Sequence, residues 1–219
     1  MDGVIFDFNG TMFFDDAFQT QSWEQFILQK TGRTITPEEF VDYVHGRNMK
    51  ETLQYFLGRD VKREEAAQLE EEKEVLYRAL CLGSPAFRLA DGLPEFLDLL
   101  AERNIPCTIA TASGWNNVCF FFEHLGLGRW FSLGNDGVVR GKPAPDLYRN
   151  AARKLGVPLA GCTVFEDAKA GIEAARRGPA RQITGVTSVQ PRETLLAWGA
   201  TDTIADYRDG AGLLRMLLQ

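Results

Sequence analysis

Apolar and polar positions follow two rhythms along the chain. Val4-Ile5-Phe6 is a short apolar run that ends at Asp7 and meets a glycine-containing turn, Asn9-Gly10-Thr11. Such a run predicts a buried strand that delivers polar residues at its carboxyl end. From about Asp15 to Ser84 the rhythm is helical. Phe18, Trp23, Phe26, Ile27 and Lys30 follow helical spacing. Thr36-Pro37-Glu38-Glu39 reads as a helix start, with Thr36 as N-cap, Pro37 at the first helical position and Glu39 closing a capping box. Phe40, Val41 and Val44 give one apolar stripe, and Leu53, Phe56 and Leu57 another. Glu64 to Leu82 places its acids early and Val75, Leu76, Ala79 and Leu80 late. Nothing in this block reads as a strand, so it predicts a helical bundle inserted after the first strand. Its run Glu70-Glu71-Glu72 reads as a solvated helix face.

From Pro94 onward helix and strand alternate. Phe96, Leu97 and Leu100 mark a helix, and Ile105 to Ala110 a strand. Val118, Phe121, Phe122 and Leu125 mark the next helix, and Leu147, Ala151 and Leu155 another. Thr163-Val164-Phe165 reads as a strand, followed by a helix through Ile172 and Ala175. Ile183 to Val186 and Thr203-Ile204 read as short final strands. This alternation predicts an α/β fold whose parallel sheet is covered by helices, with its functional groups at the carboxyl ends of the strands.

Composition narrows the function classes. The chain has 219 residues, 45% hydrophobic and 25% charged, enough to bury a sizeable core. Lys and Arg number 24 against 30 Asp and Glu, a net charge of -6. That balance argues against a nucleic-acid partner held by a broad basic surface, and leaves a small anionic substrate open. Four cysteines, no two of them three apart, and two histidines, His45 and His124, give poor support to a zinc site. The cysteines sit among apolar residues and read as free thiols of a reducing compartment. No apolar run approaches the ~18 residues of a membrane span, and Met1 to Ile5 carries no basic leader. The expectation is a cytoplasmic protein without a membrane partner.

The strand ends carry the chemistry. Asp7 ends the first strand, Thr111 with Ser113 follows the second, Gly141-Lys142-Pro143 precedes a helix, and Glu166-Asp167 ends a third. Gathered in one site, three carboxylates repel unless a cation sits among them. All-oxygen donors favour a hard ion such as Mg²⁺. Metal, nucleophile and phosphate-oxygen donors are the inventory of phosphoryl transfer.

Asp7-Phe8-Asn9-Gly10-Thr11, Thr111, Gly141-Lys142-Pro143-Ala144-Pro145-Asp146 and Glu166-Asp167 with Gly171-Ile172 resemble, in order, the four motifs of the haloacid dehalogenase (HAD) superfamily. Within it, the chain looks most like the β-phosphoglucomutase and phosphoglycolate-phosphatase branch. The resemblance implies a Rossmann-like core of residues 1–14 and 86–219 with an α-helical cap of residues 15–85. It implies that Asp7 is a nucleophile forming an aspartyl-phosphate, that Thr111 binds a phosphoryl oxygen and that Lys142 neutralises charge. Mg²⁺ would be held by Asp7, the Asn9 backbone carbonyl, Asp167 and, directly or through water, Glu166. Backbone amides around Phe8 to Gly10 would cradle the transferred group. Ser113 reads either as a helix N-cap or as a phosphate contact. Arg47, in His45-Gly46-Arg47-Asn48, and Lys73 resemble substrate-facing cap residues, beside the plainer readings of an exposed loop arginine and a lone base on an acidic helix.

One position departs from the family pattern. Phosphatases and mutases of the superfamily have an acid two residues after the nucleophile, and here that residue is Asn9. An amide has no titratable proton in the working range. The readings left open are a phosphatase or phosphomutase acting on a small phosphorylated metabolite with another acid or a good leaving group, a binding protein without useful turnover, an engineered substitution that traps a complex, and deamidation of Asn9-Gly10 to aspartate. A dehalogenase fits poorly, since those members do not use Mg²⁺. Nothing in the pattern demands more than a monomer or weak homo-oligomer.

Overall fold

A computed structural model describes residues 1–44, 49–133 and 140–218. In chain order its elements are β1 (Gly3–Phe6), α1 (Asp16–Thr31), α2 (Pro37–Tyr43), α3 (Met49–Leu57), α4 (Arg63–Leu82), α5 (Leu93–Glu102), β2 (Cys107–Ile109), α6 (Trp115–His124), α7 (Asp146–Leu155), β3 (Cys162–Glu166), α8 (Lys169–Arg177), β4 (Gln182–Val186), α9 (Arg192–Trp198), β5 (Asp202–Ile204) and α10 (Gly210–Leu218). They form two compact units, one of Met1–Phe14 with the chain from Arg88 onward, the other of Asp15–Phe87.

The first unit is an α/β Rossmann-like fold. Among the described residues its strands make one parallel sheet in the order β2-β1-β3-β4-β5. β1 is an interior strand and buried throughout, as a continuous apolar run covered on both faces must be. Val4 pairs with Cys107 on one side and Thr163 on the other. The chain leaves β1 toward opposite sides, so the order reverses there, where α/β sheets open a crevice for ligands. β2 is shorter than the Ile105 to Ala110 expected. Pro106 has no N–H, and its carbonyl alone joins the ladder, accepting from Val4 N at 2.9 Å. Phe6, Phe96, Phe165 and Tyr207 pack as an aromatic layer, with Phe6 and Phe165 stacked at 5.0 Å between centroids.

The second unit is helical, α1 to α4, around a core that includes Trp23, Phe26, Ile27, Leu53, Phe56 and Val61. The predicted capping box is present. Thr36 Oγ1 accepts from Glu39 N at 3.2 Å, and Thr36 N donates to Glu39 Oε2 at 3.1 Å. The Lys73 ammonium is buried in this unit. It donates to Gln19 Oε1 at 2.6 Å and Glu74 Oε1 at 3.0 Å, and lies 5.5 and 5.2 Å from the ring centroids of Trp23 and Tyr77. The Gln19 amide donates in turn to Asp15, which also accepts from Tyr77 Oη at 2.8 Å. His45 to Asn48, and with them Arg47, lie outside the described residues.

All four cysteines are free; Cys81 and Cys162 are buried, Cys107 and Cys119 partly so. Burial pushes the Cys81 thiol up to about 12 and Cys107 and Cys162 to about 11, which makes them poor nucleophiles. Among the described residues, no helix is long and apolar enough to cross a membrane.

Candidate active site

Asp7 is the first residue past β1, and its backbone N–H still reaches across to Phe165 O at 3.0 Å. The chain then turns tightly. The Phe8 carbonyl accepts from the amides of Thr11, Met12 and Phe13 at 3.2, 2.8 and 3.2 Å. The turn needs a left-handed residue, which is Gly10 at φ 72°. A Cβ on Gly10 would stand 2.1 Å from Asp167 Oδ2, so glycine also makes room for that carboxylate. The Gly10 amide donates to Phe13 O at 2.8 Å. Gly10 therefore serves the site with space rather than with the donor expected of its backbone.

Asp7, Glu166 and Asp167 each bring a carboxylate oxygen within 4.8 Å of the others. Lys142 enters between two of them. Its Nζ donates to Asp7 Oδ1 and Glu166 Oε2, each at 2.6 Å. Glu166 is fully buried and its Oε2 also accepts from Tyr148 Oη, while Oε1 accepts from Ala168 N at 3.1 Å. Asp167 Oδ1 accepts from the buried Thr11 Oγ1 at 3.2 Å. Ala168, not the acidic pair, is the N-cap of α8.

On the β2 side, Thr111 Oγ1 accepts from Ser113 N at 3.0 Å, which leaves its own proton for another acceptor. Ser113 is not the N-cap of α6, a place held by Gly114. Its Oγ donates to Asn9 Oδ1 at 2.6 Å. The structure thus brings together Asp7, Asn9, Thr111, Ser113, Lys142, Glu166 and Asp167 around the end of β1, and adds Thr11 and Tyr148, which the sequence reading passed over. Tyr148 carried a usable signal, because a tyrosine in the buried stripe of a helix needs a partner for its hydroxyl.

The electrostatics suit a cation at this cluster. Burial, then the nearby Glu166 charge, raise Asp7 to about 7 against the pull of Lys142. Burial, Glu166 and Asp7 likewise hold Asp167 well above the usual carboxylate range. Burial works against the charge of Lys142, but Asp7 and Glu166 outweigh it and raise its pKa. Asp7 and Asp167 thus hold protons they would otherwise lose, and a hard divalent ion on their oxygens would take the protons' place.

A haloacid dehalogenase-like hydrolase family profile matches residues 1–178. The chain belongs to the haloacid dehalogenase-like hydrolases. Over its whole length, and the whole of that chain, this hydrolase is 34% identical to a HAD hydrolase of family IA, variant 3, from Entamoeba histolytica, with a TM-score of 0.92. It is 26% identical over 207 residues to the phosphorylated carbohydrates phosphatase of Thermotoga maritima, covering 91% of this chain and 92% of that one. It is 23% identical over 212 residues to the β-phosphoglucomutase of Mycobacterium bovis, covering 83% and 79%. A further relative is the chloroplastic 5-amino-6-(5-phospho-D-ribitylamino)uracil phosphatase of Arabidopsis thaliana, 24% identical over 215 residues, or 97% of this chain. This chain spans 56% of that protein's length. The hydrolase is thus an enzyme of the β-phosphoglucomutase-like branch, among phosphatases and phosphomutases.

Proposed function

We propose that this hydrolase catalyses Mg²⁺-dependent phosphoryl transfer from a small phosphorylated metabolite, a sugar phosphate foremost, through a phosphoaspartate at Asp7, and that water rather than a second substrate hydroxyl is the usual acceptor. One arrangement carries the reading. The buried Asp7 carboxylate directly follows the interior strand β1, is bonded through Oδ1 to Lys142, and lies in one carboxylate cluster with Asp167. The carbohydrate phosphatase and phosphomutase among its relatives support the substrate class.

In the first step an Asp7 oxygen bonds to phosphorus while the bond from phosphorus to the leaving oxygen breaks, and that electron pair stays on the leaving oxygen. Lys142 stands where a point charge offsets the phosphoryl oxygens, and the Thr111 hydroxyl donates to one of them. Mg²⁺ on Asp7, Asp167 and the Asn9 carbonyl would neutralise the charge of the transferred group. Water then bonds to phosphorus, the bond to Asp7 breaks, and both water hydrogens leave with the inorganic phosphate. Asn9 supplies no proton in either step.

That last point favours one second reading, a phosphometabolite-binding protein without useful turnover, since the Asn9 amide is bonded to Ser113 and cannot exchange a proton. Phosphate release from a panel of sugar phosphates, with and without Mg²⁺, separates the two. Metal-dependent release abolished by Asp7→Asn supports the phosphatase. Saturable binding without release supports the binding protein, and neither release nor binding sinks both.

A further inference from the structure

Lys142 and Tyr148 come from one stretch of chain. Lys142 precedes α7, and Tyr148 stands in the first turn of α7, which packs on β1 and β2. Their side chains meet again at Glu166. Glu166 Oε2 accepts from both Lys142 Nζ and Tyr148 Oη, and the Lys142 ammonium lies 5.3 Å from the centroid of the Tyr148 ring. The glutamate has no room to leave this arrangement. It is fully buried, and a Cβ on Gly171 would stand 2.0 Å from both Glu166 Cδ and Oε2, so the first turn of α8 closes against the carboxylate. Its other oxygen is bonded to the Ala168 amide.

A buried carboxylate with three donors is a settled group. To become a direct metal ligand, Glu166 Oε2 would have to give up two of them. Asp167 differs: its Oδ1 accepts from the uncharged Thr11 hydroxyl. Asp7, on the far side of Lys142, shares the same ammonium through Oδ1. The four groups form a line, Tyr148 to Glu166 to Lys142 to Asp7, in which the tyrosine is the end that carries no charge.

We propose that Tyr148 is a positioning residue: its hydroxyl fixes the Glu166 carboxylate as the anchor of Lys142, which sets the ammonium against Asp7 and withholds Glu166 from the metal. The inference rests on the phosphoryl-transfer reading for its kinetic consequence, but not for its geometric one. Tyr148→Phe removes the hydroxyl and keeps the ring under Lys142. If Glu166 ligated the metal with Tyr148 merely orienting it, the variant would weaken Mg²⁺ binding about 10- to 100-fold, the usual cost of losing such support. If Glu166 anchors Lys142, Mg²⁺ affinity is retained or rises while Lys142 moves.

Three readouts decide it. In the metal-free protein the ¹H–¹⁵N signal of the Lys142 ammonium, held by two short bonds, shifts in Tyr148→Phe. Calorimetry with Mg²⁺ alone gives a dissociation constant no weaker than wild type, and adding Tyr148→Phe to Glu166→Gln leaves the signal where Glu166→Gln put it. With p-nitrophenyl phosphate, kcat falls about tenfold and KM stays. An unmoved Lys142 signal, or Mg²⁺ binding weakened about tenfold or more, overturns the assignment. Failure of the wild-type chain to release phosphate would sink the functional reading and leave the ammonium signal to judge Tyr148.

Discussion

The Ser113 hydroxyl donates to the carboxamide oxygen of Asn9 at 2.6 Å. The bond fixes which face of the amide turns to Ser113, and it joins the residue two places after Asp7 to the loop that follows β2. A carboxylate at position 9 would accept the same bond from Ser113 and, once protonated, could hand its proton to a leaving oxygen.

Asn9→Asp is therefore expected to raise phosphate release. The gain should be at least about tenfold in kcat/KM for a sugar phosphate, or about 1.4 kcal/mol of barrier. It should be much smaller for p-nitrophenyl phosphate, whose leaving oxygen departs as a stable anion. Steady-state kinetics on the two substrates, with the intact mass of residue 9 checked by peptide mass spectrometry, measure both. Equal gains on both substrates would show that position 9 acts by something other than proton transfer.

Gly10 has two reasons to be glycine, a left-handed backbone and a carboxylate 2.1 Å from any Cβ. Gly10→Ala must displace Asp167 or the turn that carries Asp7. The expected outcome is Mg²⁺ binding weakened about tenfold or more, with kcat reduced in step. Calorimetry with Mg²⁺ and turnover at saturating metal check this; unchanged Mg²⁺ affinity would place the ion away from Asp167.

Lys142 is the one ammonium among the described side chains bonded to Asp7 and Glu166, and its own side chain is nearly buried. Removing one partner of a buried ion pair leaves the other charge uncompensated, typically at a cost of about 3–5 kcal/mol. Lys142→Met keeps the length and loses the charge. Urea unfolding of the metal-free variant at about pH 8 should show a loss of that order, and a smaller one at about pH 5, where Asp7 takes up a proton in its place.

The parts of this structure that could be read from sequence are those set by local patterning. Val4-Ile5-Phe6 is continuously apolar because β1 is covered on both faces, and Thr36 with Glu39 announces its capping box within four residues. The gathering of Asp7, Lys142, Glu166 and Asp167 followed from one rule, that parallel strands point their carboxyl ends the same way. What stayed hidden depends on pairings across the fold. Ser113 meets Asn9 from 104 positions away, so its choice between cap and ligand was undecidable locally; Gly114 holds the cap, and the Ser113 hydroxyl donates to Asn9. Tyr148 was passed over beside the helical stripe of Leu147, Ala151 and Leu155, and only the fold shows its hydroxyl reaching Glu166. The Gly10 amide was expected to face the substrate, yet the turn itself uses it on Phe13.

The raised carboxylates make stability depend on pH in a direction opposite to that of an ordinary salt-bridged acid. Asp7 has a folded pKa of about 7 against 3.8 in an open chain. Below the lower value both states hold the proton and nothing is lost. Between the two, the folded state keeps a proton that the unfolded chain has released, so each rise in pH favours unfolding. Asp167, raised by burial and by the same neighbours, adds to the trend with the same sign. The metal-free protein is therefore expected to melt at a higher temperature at about pH 5 than at about pH 8. Saturating Mg²⁺ should flatten that slope, because the ion binds the deprotonated carboxylates of the folded state and stabilises it most where they carry no proton. Differential scanning calorimetry across this range, with Mg²⁺ and with chelator, measures both effects. A metal-free melting temperature that rises between these two pH values would mean that Asp7 and Asp167 are not the strained acids their surroundings make them.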